Sequence, residues 1–154
     1  MHVRPAPSHP AGYLIVLLGV VAFVVSCFLP FYGEPILRAG DDVSLYRLVV
    51  DPPIGGGKVG GVLYLFAGAA TVGVVSLIGL GRAAAWTPYA LVAGVAAWAL
   101  TWLGILLNQA ELAQHEVGYW TAYASLGLTV VGTIVVWVTS RSRARQEPAP
   151  AVSA

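Results

Sequence analysis

The stretch 59–81, VGGVLYLFAGAATVGVVSLIGLG, decides the fold of this chain because it runs from end to end without a charged side chain. A helix needs roughly 20 apolar residues to cross the hydrocarbon core of a bilayer. Glycine and valine are poor helix formers in water, but in lipid a helix is the local structure that satisfies every backbone N–H and C=O. The stretch therefore predicts a transmembrane helix.

Three further apolar stretches, on either side of the first, are also free of charged residues and long enough to cross a bilayer. Pro30 follows the end of the first of them, and Pro88 lies in the first turn of another, where a missing N–H costs nothing. Small residues recur at helical spacing in every stretch, which lets helices approach closely in lipid. The four predicted spans are 11–29, 59–81, 87–107 and 120–139.

The composition of the whole chain agrees with a membrane protein. Of the 154 residues, 58% are hydrophobic and 10% are charged, and the mean hydropathy is +0.79. A soluble domain has roughly a quarter of its residues charged, so the few charges here cannot cover a surface that faces water. Composition therefore excludes a soluble enzyme, a nucleic-acid-binding protein and a disordered chain.

The connections between the spans predict their arrangement. The turn 82–86 is short, so the second and third spans must be antiparallel neighbours. We therefore predict an all-α membrane protein, an up-down four-helix transmembrane bundle with a long first outer loop. Its transmembrane domain covers residues 11–139.

Basic residues are distributed unequally between the two sides of this predicted bundle. Five lie on the side of the two termini and of the turn 82–86, whereas three lie in the segments 30–58 and 108–119. Because basic residues accumulate on the cytoplasmic side, we predict a plasma-membrane protein with both termini in the cytoplasm. Segments 30–58 and 108–119 are then outer loops, residues 1–10 a cytoplasmic tail, and residues 140–154 a basic, disordered cytoplasmic tail.

The outer loop 30–58 is the predicted recognition region. It combines tyrosine, arginine and apolar side chains, a mixture that is typical of binding surfaces. Part of it, SLYRLVV, fits a short helix that begins after a capping Asp or Ser, or alternatively a strand. The same patch fits docking of the loop onto its own bundle or onto lipid equally well. The candidate partner-binding residues are Asp41, Asp42, Leu45, Tyr46, Arg47 and Leu48.

Cys27 is the single cysteine, so the chain forms no intrachain disulfide. The sequence VVSC at 24–27 resembles a lipoprotein signal, which makes Cys27 a candidate for acylation. Phe28 and Leu29 argue against this interpretation, because small or polar residues normally follow a lipidated cysteine. The alternative is a small buried residue near the outer end of the first helix.

Trp98 and Trp102 lie one turn apart on one face of the third span. They are either a packing element or a lipid-facing ridge, or else the wall of a site for a quinone, a haem or a lipid tail. The spans contain no His or Met that would serve as an axial ligand. Glu111 and His115 have a spacing that can chelate a metal, but no third ligand is near. We predict no cofactor, no metal and no catalytic residue.

The sequence CFLPFY at 27–32, followed by VSLY at 43–46, resembles a broad set of small bacterial, especially actinobacterial, four-span membrane proteins of unknown function. Their first span ends in FLPW or FLPF, and this chain has Phe31 where the commoner pattern has tryptophan. The resemblance covers roughly residues 11–81. It implies the four-span fold and no activity. A likeness to claudin-like tetraspans is limited to the layout, because the paired loop cysteines of claudins are absent.

Three classes of function are compatible with these features. The preferred one is a non-catalytic accessory or scaffold subunit that binds a membrane partner through helix faces and the outer loop. The alternatives are a small carrier or channel, and a membrane enzyme acting on lipid, quinone or thiol. Carriers usually place an ionisable or strongly polar group within their spans, and the interior of these spans offers only Ser, Thr and the boundary residue Asn108. The predicted partners are the lipid bilayer and a membrane protein or a second copy of the chain, with no nucleic acid.

Overall fold

The computed structural model describes residues 10–32, 43–46, 59–82, 84–109 and 116–146. They form four helices and one short antiparallel sheet. Among them, three helices are long and apolar enough to cross a membrane, and the first is a shorter apolar helix. The elements are α1 (Pro10–Ser26), β1 (Pro30–Tyr32), β2 (Val43–Ser44), α2 (Val59–Gly81), α3 (Thr87–Gln109) and α4 (Val117–Gln146).

The helical class predicted from the sequence is confirmed, and the bounds of α2 coincide with the predicted span 59–81. The first helix ends earlier than predicted, at Ser26 instead of residue 29. Residues 27–29 instead form tight turns, in which the N–H of Phe28 donates to the carbonyl of Val25 at 3.1 Å and that of Leu29 to Ser26 at 3.2 Å. Proline at position 30 has no N–H, so it cannot extend the helix.

The last helix is longer than predicted at both ends. It begins at Val117 and runs to Gln146, so residues 140–146, predicted as part of a disordered tail, are helical. Arginine, alanine and glutamine are good helix formers. No proline lies between Val117 and Pro148, so none interrupts this helix. The charged residues of this segment therefore extend α4 beyond its apolar part.

The most extensive contact between helices joins α1 to α4. An ideal Cβ placed on Gly12 would lie 2.9 Å from the backbone N of Val136, and one on Gly132 would lie 2.8 Å from the backbone N of Val16. Real Cβ atoms do not approach backbone atoms this closely, so the two helix backbones touch. Gly12 lies beside Val136, whereas Gly19, later in α1, lies beside Thr129, earlier in α4, so the two helices run antiparallel.

Five buried Ser and Thr hydroxyl groups are satisfied within their own helices. Each of the five donates to a carbonyl three or four residues earlier, at 2.6–2.8 Å. A bond between helices joins the hydroxyl of Tyr13 in α1 to that of Thr87 at the start of α3, at 3.1 Å. The buried residues with these local bonds are Ser26, Ser76, Ser125, Thr129 and Thr133.

The bundle has two different ends. We call the end that holds β1, β2 and the start of α4 the loop end. The opposite end holds the start of α1, the connection between α2 and α3 and the charged part of α4, and we call it the turn end. Two groups of buried side chains fill the interior, one towards each end.

Candidate functional site: the loop end

Three segments meet at the loop end through backbone hydrogen bonds. Strands β1 and β2 pair antiparallel, with Pro30 opposite Ser44. The N–H of Tyr46 donates to the carbonyl of Cys27 at 3.0 Å, and that of Glu116 donates to Phe31 at 3.3 Å. Two segments of the predicted outer loop 30–58 are therefore held against the end of α1 and the start of α4.

Gly118 permits this close approach. An ideal Cβ on Gly118 would lie 2.6 Å from the carbonyl oxygen of Pro30 and 2.9 Å from that of Leu29. A side chain at this position would push the first turn of α4 away from β1. The packing of α4 against the strand thus depends on a residue without a side chain.

Leu45, one of the candidate partner-binding residues, is buried. It is 2% exposed and packs with Phe23, Phe31 and Trp102 in the interior. Pairing of Val43 and Ser44 with β1 brings the next residue over the end of the bundle, where an apolar side chain is covered. In this arrangement the side chain of Leu45 anchors the loop to the bundle and is not accessible to a partner.

Tyr46, the neighbouring candidate, is exposed and lies against a second exposed ring. Tyr46 is 51% exposed and Phe28 is 64% exposed. Their ring centroids are 5.4 Å apart, with an angle of 31° between the ring planes. We call these two residues the aromatic pair. The other candidates, Asp41, Asp42, Arg47 and Leu48, lie outside the described residues.

Sequence reasoning did not select Phe28 as a binding residue. It lies in the turn after α1 but within the stretch 11–29 predicted as the first span, where a large apolar side chain is expected and does not indicate a binding surface. The partner that makes it part of a surface, Tyr46, is brought beside it by the Tyr46–Cys27 backbone bond. No periodicity in the sequence predicts that bond.

Beneath the aromatic pair lies a cluster of contacting rings, which we call the aromatic cluster. Phe23 meets Trp98 edge-on at 5.1 Å between centroids and Trp102 at 6.1 Å. Both tryptophans are 1% exposed, so they are a packing element and not a lipid-facing ridge. The cluster consists of Phe23, Phe31, Phe66, Trp98, Trp102, Tyr119 and Tyr123.

The two tryptophans bury indole N–H groups. Within the described part of the chain, neither Nε1 atom has a hydrogen-bond acceptor. A buried donor without an acceptor costs about 1–3 kcal/mol. The cluster therefore offsets this cost through ring packing, which contributes about 0.5–1.5 kcal/mol for each well-placed aromatic pair.

Cys27 lies at the edge of the same cluster and is 1% exposed. Its thiol donates to the carbonyl of Phe23 at 3.2 Å. Cleavage before Cys27 would remove α1, the helix with the largest interface in the bundle. Acylation of Cys27 stays a prediction, and the packing of α1 favours the alternative of a small buried residue.

Metal-ligating residues do not gather in the described ranges, where no group of three or more His, Cys, Asp or Glu side chains is placed to hold an ion. Glu111 and His115 lie outside these ranges. Comparison of the chain with protein-family models, with curated proteins and with solved structures finds no match. The loop end must therefore be interpreted from its own geometry.

Proposed function

We propose that this protein is a four-span plasma-membrane protein that acts without catalysis, as an accessory or scaffold subunit. The observation that carries the proposal is an exposed aromatic pair, Phe28 and Tyr46, fixed on top of a tightly packed interior. Aromatic side chains held rigidly at a surface are typical anchors of protein interfaces. The chain thus offers a recognition surface at its loop end and a supporting bundle beneath it.

The proposal places α1 in the membrane beside the three longer helices. At 17 residues, α1 has the minimum length for crossing a bilayer. Its outward side chains are apolar and more than half exposed at Leu14, Leu18 and Val21. A continuous apolar surface of this kind is unfavourable in water and suited to lipid.

The turn after α1 also suits the boundary of a membrane. Backbone groups at that depth need partners within the protein, because lipid supplies none. The carbonyl groups of Cys27 and Phe31 accept hydrogen bonds from Tyr46 and Glu116, respectively. The chain can therefore leave the helical conformation at this level without exposing those carbonyl groups to lipid.

The interior supports the accessory role over the two alternatives. A carrier needs polar groups along a path, and five buried Ser and Thr hydroxyls here donate to carbonyls of their own helices. An enzyme needs a reactive group at an accessible site, and the thiol of Cys27 is buried against Phe23. The rings of the aromatic cluster occupy the space beneath the loop end.

The orientation is tested with topology reporters. We expect a phosphatase, which is active outside the cytoplasm, to be active when fused near Asp42 and inactive when inserted after Arg82 or fused after Arg145. A fluorescent protein that folds in the cytoplasm should give the opposite pattern. A phosphatase signal from the Arg145 fusion would contradict the proposed orientation, and equal signals at Asp42 and Arg82 would contradict the four-span arrangement.

Partner binding is tested by crosslinking from the aromatic pair. We expect a photoreactive phenylalanine derivative in place of Tyr46 to give a discrete protein adduct in native membranes. The control carries the same group at Tyr64, which is 70% exposed on α2 and lies outside the pair. The expected adduct forms from position 46 and not from position 64, and Phe28→Ala weakens it.

The adducts separate the competing interpretations. An adduct with twice the mass of the chain identifies a second copy as the partner, and a different mass identifies another protein. Adducts to lipid alone at position 46 would show that the aromatic pair is a headgroup anchor, and the accessory proposal would then fail. The same protein adducts from both positions would show unspecific contact and count against it equally.

A further inference from the structure

At the turn end, an open cavity of about 540 Å³ lies where α2 passes into α3. Its wall combines apolar side chains with one guanidinium and one indole. The residues that line it are Leu77, Ile78, Gly81, Arg82, Ala84 and Trp86.

Backbone hydrogen bonds hold this connection in shape. The N–H of Arg82 donates to the carbonyl of Ile78 at 2.8 Å, which closes the last turn of α2. The N–H of Ala84 donates to the carbonyl of Arg82 at 2.8 Å, and that of Thr87 donates to Ala84 at 3.1 Å. These bonds order the backbone that carries Arg82 and leads to Trp86.

Among the described residues, no acidic side chain lies near Arg82. Glu116 is the only acidic residue in the part of the chain that the structure describes, and it lies at the opposite, loop end. Arg82 itself is exposed. A guanidinium presents a planar set of donors that matches the oxygens of a phosphate group. In the part of the chain that the structure describes, the guanidinium of Arg82 therefore faces no carboxylate at this end and can accept an anion from outside.

The apolar residues of the cavity wall indicate what kind of molecule the anionic group belongs to. Leu77 is 59% exposed and lies on the outer face of α2, where the proposed membrane position puts acyl chains. Trp86 is 52% exposed, and an indole at a helix end favours the headgroup region. An apolar wall that leads to a guanidinium fits a molecule with a hydrocarbon chain and a phosphate.

We propose that this cavity binds the phosphodiester headgroup of an anionic phospholipid. Arg82 contacts the phosphate, the indole of Trp86 lies at the glycerol level, and an acyl chain follows Leu77 and Ile78. Basic cavities on the cytoplasmic side of membrane helices are suited to such headgroups. The proposal rests on the proposed function only for placing the turn end in the cytoplasmic leaflet.

The test uses the full chain in detergent, stripped of lipid and titrated with dioleoyl phosphatidylglycerol or dioleoyl phosphatidylcholine. Native mass spectrometry counts the bound molecules. We expect one phosphatidylglycerol to bind in preference to phosphatidylcholine, and Arg82→Gln to weaken that binding about fivefold or more. The matched control is Arg141→Gln, which removes an exposed guanidinium that lies over Trp137 and outside the cavity.

Each outcome decides one point. Equal weakening by Arg82→Gln and Arg141→Gln would show diffuse attraction by basic residues and would overturn the site. Displacement of the lipid by the same concentration of glycerol phosphate would assign the site to free phosphate and would overturn the lipid assignment. Unchanged thermal unfolding of Arg82→Gln verifies that the variant folds. Because binding is measured in detergent, a failed topology experiment would contradict the orientation and leave this result standing.

Discussion

Replacing Gly132 with alanine is expected to lower the free energy of unfolding by about 1–3 kcal/mol. The added Cβ would lie 2.8 Å from the backbone N of Val16 and 2.9 Å from the carbonyl oxygen of Gly12. Neither backbone atom belongs to a flexible side chain that can rotate away, so α1 and α4 must separate. The measurement is thermal unfolding in detergent micelles, or unfolding by titration with a denaturing detergent.

Gly127→Ala is the matched control for this experiment. Gly127 lies on the same helix, and an ideal Cβ there meets no atom within 4 Å. We expect this change to leave the stability unchanged or to raise it by up to about 1 kcal/mol, because alanine favours a helix over glycine. If both substitutions destabilise the protein equally, the contact between the two helix backbones is not what holds α1 to α4.

Replacing Phe23 with alanine is expected to cost about 3 kcal/mol, the lower end of the range for large-to-small changes at aromatic core residues. Phe23 is fully buried and contacts Phe66, Trp98 and Trp102 edge-on. We expect the lower end of the range because lipid is as apolar as the protein interior. Removing the ring then costs packing contacts and little hydrophobic free energy. Tryptophan fluorescence, followed through the unfolding transition, measures this loss of stability.

Phe28→Ala makes the same chemical change at an exposed position near the same end. Phe28 is 64% exposed and contacts Tyr46 only at the surface. We expect its effect on stability to lie within about 0.5 kcal/mol. A loss at Phe28 as large as that at Phe23 would mean that the aromatic pair supports the fold, and its proposed role in binding would lose its basis.

The helices were predictable because their determinants are local. Charged residues bound α2 on both sides, Lys58 before it and Arg82 after it, and the helix occupies the whole interval between them. The contact of α1 with α4 also had a local signal, since small residues recur along both helices. Periodicity does not predict which row of small residues on one helix packs against which row on another. The contact of Gly12 with α4 is therefore known only from the folded chain.

The loop end was less predictable because its determinants are distant in sequence. The sequence analysis grouped Leu45 with its neighbour Tyr46 among the candidate partner-binding residues of the loop. Pairing of β2 with β1 joins segments separated by ten residues, and that pairing buries Leu45 while leaving Tyr46 exposed. Local pattern grouped the two side chains together, whereas the folded chain places them on opposite sides of the loop surface, one buried and one exposed. The assignment of this loop as the recognition region stays a prediction.

The unequal lengths of the helices have a consequence for the surrounding bilayer. With 17 residues, α1 rises about 25 Å, whereas the 30 residues of α4 rise about 45 Å. A hydrocarbon core is about 30 Å thick, so a membrane-spanning α1 leaves a hydrophobic mismatch of about 5 Å. A tilted helix spans less of the bilayer, so tilting would increase the mismatch of a helix that is too short. Backbone contact also holds α1 against α4. In the proposed four-span arrangement, the lipid around α1 would then thin or flanking side chains would extend to the interface, at a cost of fractions of a kcal/mol per Å. Bilayer thickness would thus become a determinant of stability that acts through the shortest helix.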